Sequence, residues 1–103
     1  NMGMEVNAYQ AAVRGSSSRS SSQFEKQLMN HVISIQDASD ALEKFMLDAA
    51  KDKLDLSEGD SRDIIVSKLS DLLWHISLTS WELGITLESV ALKSLKNKGG
   101  SGV

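Results

Sequence analysis

Two pairs of charged residues with helical spacing stand out in this sequence. Asp37 and Asp40 are three residues apart, so on a helix both project from one face. Lys68 and Asp71 repeat that spacing further along the chain. Two antiparallel helices joined by a short loop can bring such faces together. Carboxylates converging between facing helices are how helical bundles build sites for hard divalent cations. Magnesium takes oxygen ligands, keeps several waters and shares its remaining positions with substrate phosphates. A site of that kind suits phosphoryl chemistry, in which the ion clamps a polyphosphate and activates water. The bland alternative is that these residues form a solvated helix face, because Asp-x-x-Asp alone is a short and common pattern.

The elements that must carry these residues follow from hydrophobic periodicity. A first short helix is expected over about Glu5–Arg14, with Val6, Tyr9, Ala12 and Val13 loosely on one side. Gly15 and the Ser-rich run through Ser22 form a low-complexity linker, expected to be mobile. The second helix is expected from about Gln23 to Lys53. Phe24, Leu28, Ile35, Leu42, Phe45 and Ala49 make its core stripe. A second face carries Met29, Ile33, Asp37 and Asp40. A helix with apolar residues on two sides is central to a bundle or shared with another subunit.

The cluster Glu58-Gly59-Asp60-Ser61 marks a turn, with Asp60 or Ser61 as the cap of a third helix. That helix is expected to run to about Leu83, with Ile65, Leu69, Leu72, Ile76, Thr79 and Leu83 as its core stripe. Gly84 has the character of a C′ residue. Thr86 is expected to cap a fourth helix, Leu87–Lys98, with Glu88 at its start and Lys96 and Lys98 at its end. The residues from Gly99 should fray. Nothing alternates with period two for long enough to make a sheet, so the expected class is all-α, an antiparallel helical bundle.

Composition narrows the function classes. The 103 residues suffice for one domain, read as 1–22 (short helix and linker), 23–98 (helical domain) and 99–103 (tail). Apolar residues make up 41% and only five positions are aromatic, so the core is expected to be mostly Leu, Ile, Val and Met. There is no Pro to break helices, and no Cys for disulfides or thiolate metal sites. The formal charge of −3 argues against a nucleic-acid partner. Without a long apolar run the expectation is no membrane partner, with a cytoplasmic location as the default. No Ser-His pair sits in a nucleophile-elbow motif.

Taken together, the motifs resemble a known family. The stretch Ile35-Gln36-Asp37-Ala38-Ser39-Asp40-Ala41-Leu42 resembles the Glu-Glu-x-x-Glu motif of the MazG-type nucleoside triphosphate pyrophosphohydrolases. Ser67-Lys68-Leu69-Ser70-Asp71-Leu72-Leu73-Trp74-His75 is similar to their second motif, Glu-Glu-x-x-Asp followed by an apolar pair and an aromatic residue. Leu83-Gly84-Ile85-Thr86-Leu87-Glu88 resembles the family's Leu-Gly-Ile-Asp-Leu-Glu turn, and Asn7-Ala8-Tyr9-Gln10 its N-terminal Glu-Tyr-Gln. The likeness is most specific over about Ile35–Asn97, with 27 residues between Asp40 and Lys68.

The resemblance implies an all-α bundle whose core is completed by oligomerisation, as a homodimer or homotetramer. It implies hydrolysis of a nucleoside triphosphate to the monophosphate and pyrophosphate, a nucleotide house-cleaning reaction, with magnesium on the acidic motifs. Carried over position by position, the metal ligands would be Asp37, Asp40 and Asp71, and Lys68 stands at the fourth ligand position. Lys93 and Asn97 match family positions that contact phosphate or nucleotide, against a solvated-face alternative. Trp74 and His75 are further candidates for substrate contact. Their alternatives are a core or interface tryptophan and a partly buried histidine. Trp81 and His31 read as core or interface residues.

Lys68 alters the expected chemistry. An ammonium has three donors and no acceptor, so it repels magnesium and pairs with carboxylates instead. The expectation is an internal counter-ion among Asp37, Asp40 and Asp71, with magnesium binding weak or lost and catalysis impaired. Lysine also binds phosphate as a point charge. The alternative to an impaired pyrophosphohydrolase is a catalytically silent relative that acts as a nucleotide-binding or protein-interaction module.

Overall fold

The structure, a computed structural model, describes residues 3–15 and 23–99. The Ser-rich run 16–22 and residues 100–103, for which a mobile linker and a frayed tail were expected, lie outside the described residues. Four α-helices follow one another: α1 Val6–Arg14, α2 Phe24–Lys51, α3 Gly59–Glu82 and α4 Leu87–Asn97. Among the described residues there is no strand, and the chain is all-α. No helix of the described residues is long and apolar enough to cross a membrane.

The chain divides into two compact units. One comprises Asn1–Leu28 with Ser77–Val103, and the other Met29–Ile76. The first holds α1, α4 and the helix ends between them. The second holds the greater part of α2 and α3 and the loop that joins them.

Helix ends are set by local chemistry. At the end of α3, Ile85 N donates to Ser80 O (3.1 Å) and Gly84 N to Trp81 O (2.9 Å). This is a Schellman motif, and Gly84 sits at its left-handed position with φ of 74°. The end of α2 closes in the same way: Leu54 N donates to Ala49 O (3.0 Å) and Lys53 N to Ala50 O (3.2 Å). Here the left-handed position is filled by Lys53, at φ 56°. A side chain with a Cβ is strained there by about 1–2 kcal/mol. Glycine relieves the strain but loses more entropy on folding. Lys53→Gly is therefore expected to raise the unfolding free energy by about 0.5–1 kcal/mol. Urea denaturation at unchanged m-value measures it, and a lowered midpoint would contradict the assignment.

The start of α3 differs from the sequence expectation. The helix begins at Gly59, so Asp60 and Ser61 lie in its first turn rather than ahead of it. Gly59 enters at φ 67°, which lets the chain turn into the helix two residues early. Before it, Asp55 Oδ1 accepts from Ser57 N (2.9 Å) and from Ser57 Oγ (2.6 Å). Those two bonds hold the Asp55 carboxyl below its ordinary range.

The start of α4 joins the first unit together. Thr86 Oγ1 caps the helix by accepting from Ser89 N (3.1 Å). Two residues of α1 take the preceding N–H groups: Gln10 Oε1 accepts from Leu87 N (3.0 Å), and Asn7 Oδ1 from Glu88 N (3.0 Å). Both amides also donate, Gln10 Nε2 to Ile85 O (3.0 Å) and Asn7 Nδ2 to Glu88 Oε1 (3.3 Å). The first three orphan donors of α4 are thereby satisfied by named partners. Gln10 and Val13, not Val6 or Ala12, are the buried residues of α1. Tyr9 beside them is half-buried, and desolvation pushes its phenol above the ordinary value.

In the second unit one side of each long helix is withdrawn from solvent. On α2 it carries Ile35, Leu42, Phe45 and Ala49, as the apolar spacing predicts. On α3 it carries Ile65, Leu72 and Ile76, and also Lys68 and His75. Leu69 and Leu83, expected in the core stripe, are half exposed. The covered side of α3 follows the 3-4 spacing Ser61, Ile65, Lys68, Leu72, His75, Thr79, which places polar groups where Leu69 was expected.

Candidate functional site

The sequence-derived site residues Asp37, Asp40, Lys68 and Asp71 all belong to the unit Met29–Ile76. Asp37 and Asp40 lie near the middle of α2, Lys68 and Asp71 near the middle of α3. Asp37, Asp40 and Asp71 are exposed, whereas Lys68 is half-buried. The difference follows from register: Lys68 falls on the covered side of α3, four residues before Leu72, and Asp71 falls one position off it.

The structure does not gather these residues into one cluster within a single chain. Among the described residues, Lys68 makes no ion pair with Asp37, Asp40 or Asp71. Nor do three or more His, Asp or Glu side chains come together at metal-holding distance among the described residues.

A resident magnesium ion can be tested against the chemistry of this donor set. Magnesium needs near-octahedral oxygen donors. The four positions offer three exposed aspartates and one half-buried lysine. The ammonium has no lone pair to give and opposes a cation beside it. The set does not fit a magnesium ion held by all four positions.

The remaining candidates sit on separate elements. His75 is half-buried on the same side of α3 as Lys68, two turns on. Trp74 next to it is 40% exposed. Lys93 and Asn97 are exposed on α4, one turn apart. His31 is half-buried on α2, and Trp81 half-buried on α3.

Two further features surround the candidate residues. On α2, Met29, Ile33, Asp40 and Leu47 recur at spacings of four and seven, so they share one side of the helix. Met29 and Leu47 are each 59% exposed and Ile33 45%. An open groove of about 610 Å3 lies along the C-terminal half of α2, bordered by Asp40, Glu43, Lys44, Leu47 and Lys51. On α3, Val66, Leu69 and Leu73 form a second exposed apolar run.

Met29 and Ile33, expected on a second face of α2, are exposed, and so are Val66, Leu69 and Leu73 on α3, of which Leu69 was expected in the core stripe. Sequence reasoning gave no structural role to Asn7 or Gln10, which couple α1 to α4. A pair of amides at i,i+3 was the available signal, and amides in that arrangement most often face water. No protein family, curated protein or solved structure matches this chain.

Proposed function

We propose that this chain is a relative of the MazG-type nucleoside triphosphate pyrophosphohydrolases. In this reading it recognises a nucleoside triphosphate, and Lys68 slows or abolishes hydrolysis to the monophosphate and pyrophosphate. The observation that carries the reading is the placement of the two charged pairs. Each lies mid-way along one of two long helices in one compact unit, and three of the four side chains remain open to solvent.

The roles follow from chemistry. Lys68 supplies a fixed positive charge on the covered side of α3, where it offsets carboxylates or meets phosphate. Asp37, Asp40 and Asp71 keep the acidic character of the motifs. Lys93 and Asn97 offer a cation and an amide for phosphate or sugar, and Trp74 and His75 a ring face and an imidazole. The exposed apolar sides of α2 and α3 support self-association as a homodimer or homotetramer. They equally favour the second reading, a catalytically silent interaction module.

Two measurements on the whole chain test the proposal. Calorimetric titration with a panel of nucleoside triphosphates is expected to show saturable binding that Lys93→Ala weakens several-fold. Solution mass is expected to be that of a dimer or tetramer. A strict monomer with no affinity for any triphosphate would contradict both parts.

A further inference from the structure

A second concavity lies in the other unit, far in sequence from the acidic motifs. It is a cleft of about 350 Å3 between α1 and the turn that joins α3 to α4. Ala11 and Arg14 line it from α1, Trp81 from the end of α3, and Gly84 and Ile85 from the turn. Its volume is within the range of small-ligand sites, roughly 300–1,000 Å3.

Three observations define what the cleft could hold. The first is charge. Arg14 is the one charged side chain among the described residues that line it, and no acidic residue does. At the adjoining start of α4 the Glu88 carboxylate, which accepts from Asn7, offsets the positive end of the helix dipole, so Arg14 is the cation that an anion would meet. The second is the state of the polar wall. Gln10 also lines the cleft, but its amide is committed to Leu87 N and Ile85 O. The Asn7 amide is likewise committed to Glu88, which leaves the guanidinium as the cationic donor of the wall. The third is shape. Gly84, held at φ 74° by the Schellman motif, presents no side chain, and a Cβ built there meets nothing within 4 Å. The wall is thus open beside the Trp81 indole and the half-exposed Ile85.

We propose that this cleft binds a small organic anion with a flat apolar body, the anionic group on Arg14 and the body against Trp81 and Ile85. Arginine matches planar carboxylates and phosphates with paired N–H donors. Tryptophan and isoleucine supply apolar wall that a bare inorganic anion would leave wet. The shared ligand chemistry is an aryl or heteroaryl group carrying a carboxylate or a phosphate.

The test uses the whole chain and three probes: benzoate, phenyl phosphate and neutral benzamide. Binding is followed by NMR at the Trp81 indole N–H and the Gly84 amide, with Trp74→Phe assigning the two indole signals. Benzoate or phenyl phosphate is expected to bind saturably, and the stronger of the two identifies the anionic group. Benzamide is expected to bind at least tenfold more weakly. Arg14→Gln, at an exposed position, is expected to lower affinity about tenfold or more without altering the fold. Ala11→Leu, which keeps the helix and fills the cleft, is expected to abolish binding. Equal binding of benzamide, no effect of Arg14→Gln, or no saturable binding of either anion would overturn the proposal.

Discussion

Replacing Gln10 by Ala is expected to lower the unfolding free energy by about 2–3 kcal/mol. Gln10 is 8% exposed and uses both ends of its amide on the segment that starts α4. Its oxygen takes the N–H of Leu87, itself 6% exposed, so water does not readily replace the bond. An unsatisfied buried donor costs about 1–3 kcal/mol, and the lost packing of the side chain adds to it. The released Ile85 carbonyl is part-buried and costs less. Asn7→Ala removes two bonds in an exposed setting and is expected to cost only about 0.5–1 kcal/mol. Thermal unfolding separates the two, since each kcal/mol moves Tm by about 4–8 °C in a domain of this size. Equal effects of the two substitutions would show that burial of the Leu87 donor is not what matters.

The second large effect is expected from Lys68→Glu. The change replaces one positive charge by one negative charge, two units in all, and in the proposed reading residue 68 faces Asp37, Asp40 and Asp71. Across about 6 Å of fully water-like dielectric, each unit pair contributes about 0.7 kcal/mol. Acting on a divalent cation, two units sum to about 3 kcal/mol, or roughly 100-fold in affinity. Partial burial of the residue 68 side chain lowers the effective dielectric, so the water-like figure is a lower bound. Calorimetry with magnesium or manganese on the nucleotide-free protein is expected to detect a site in Lys68→Glu at concentrations where the unaltered chain shows none. Equal affinity in both chains would mean that residue 68 does not face the acidic positions. Lys68→Gln provides the neutral midpoint and is expected to fall between them.

Elements and their ends were legible because the chemistry that sets them is local. Thr86 and Gly84 announce the start of α4 and the end of α3 within a few residues, and both perform as their types imply. Lys53 gave no such signal, because a left-handed lysine is forced by the Schellman bonds around it rather than favoured by its own side chain. The covered side of α3 was harder to read. Apolar spacing selects Leu69, while the fold covers Lys68 and His75 and leaves Leu69 half exposed. Hydrophobic periodicity ranks sides by composition, and a side that carries a lysine and a histidine ranks low. The Asn7 and Gln10 bonds span 75 to 81 residues of chain. No local pattern encodes a contact at that separation.

The candidate site shows the same division. The two charged pairs were visible as i,i+3 spacings, and each lies well inside a long helix. Grouping them would take packing between surfaces, and spacing within one helix does not specify which surface meets which. On the Asp40 side of α2, Met29, Ile33 and Leu47 stay exposed among the described residues.

Pyrophosphate release from nucleoside triphosphates, with magnesium present and the unaltered chain assayed beside Lys68→Glu, bears on the whole reading at once. Release is expected to be slow or absent in the unaltered chain and to rise at least tenfold in Lys68→Glu. Brisk release by the unaltered chain, unchanged by Lys68→Glu, would contradict the role given to Lys68.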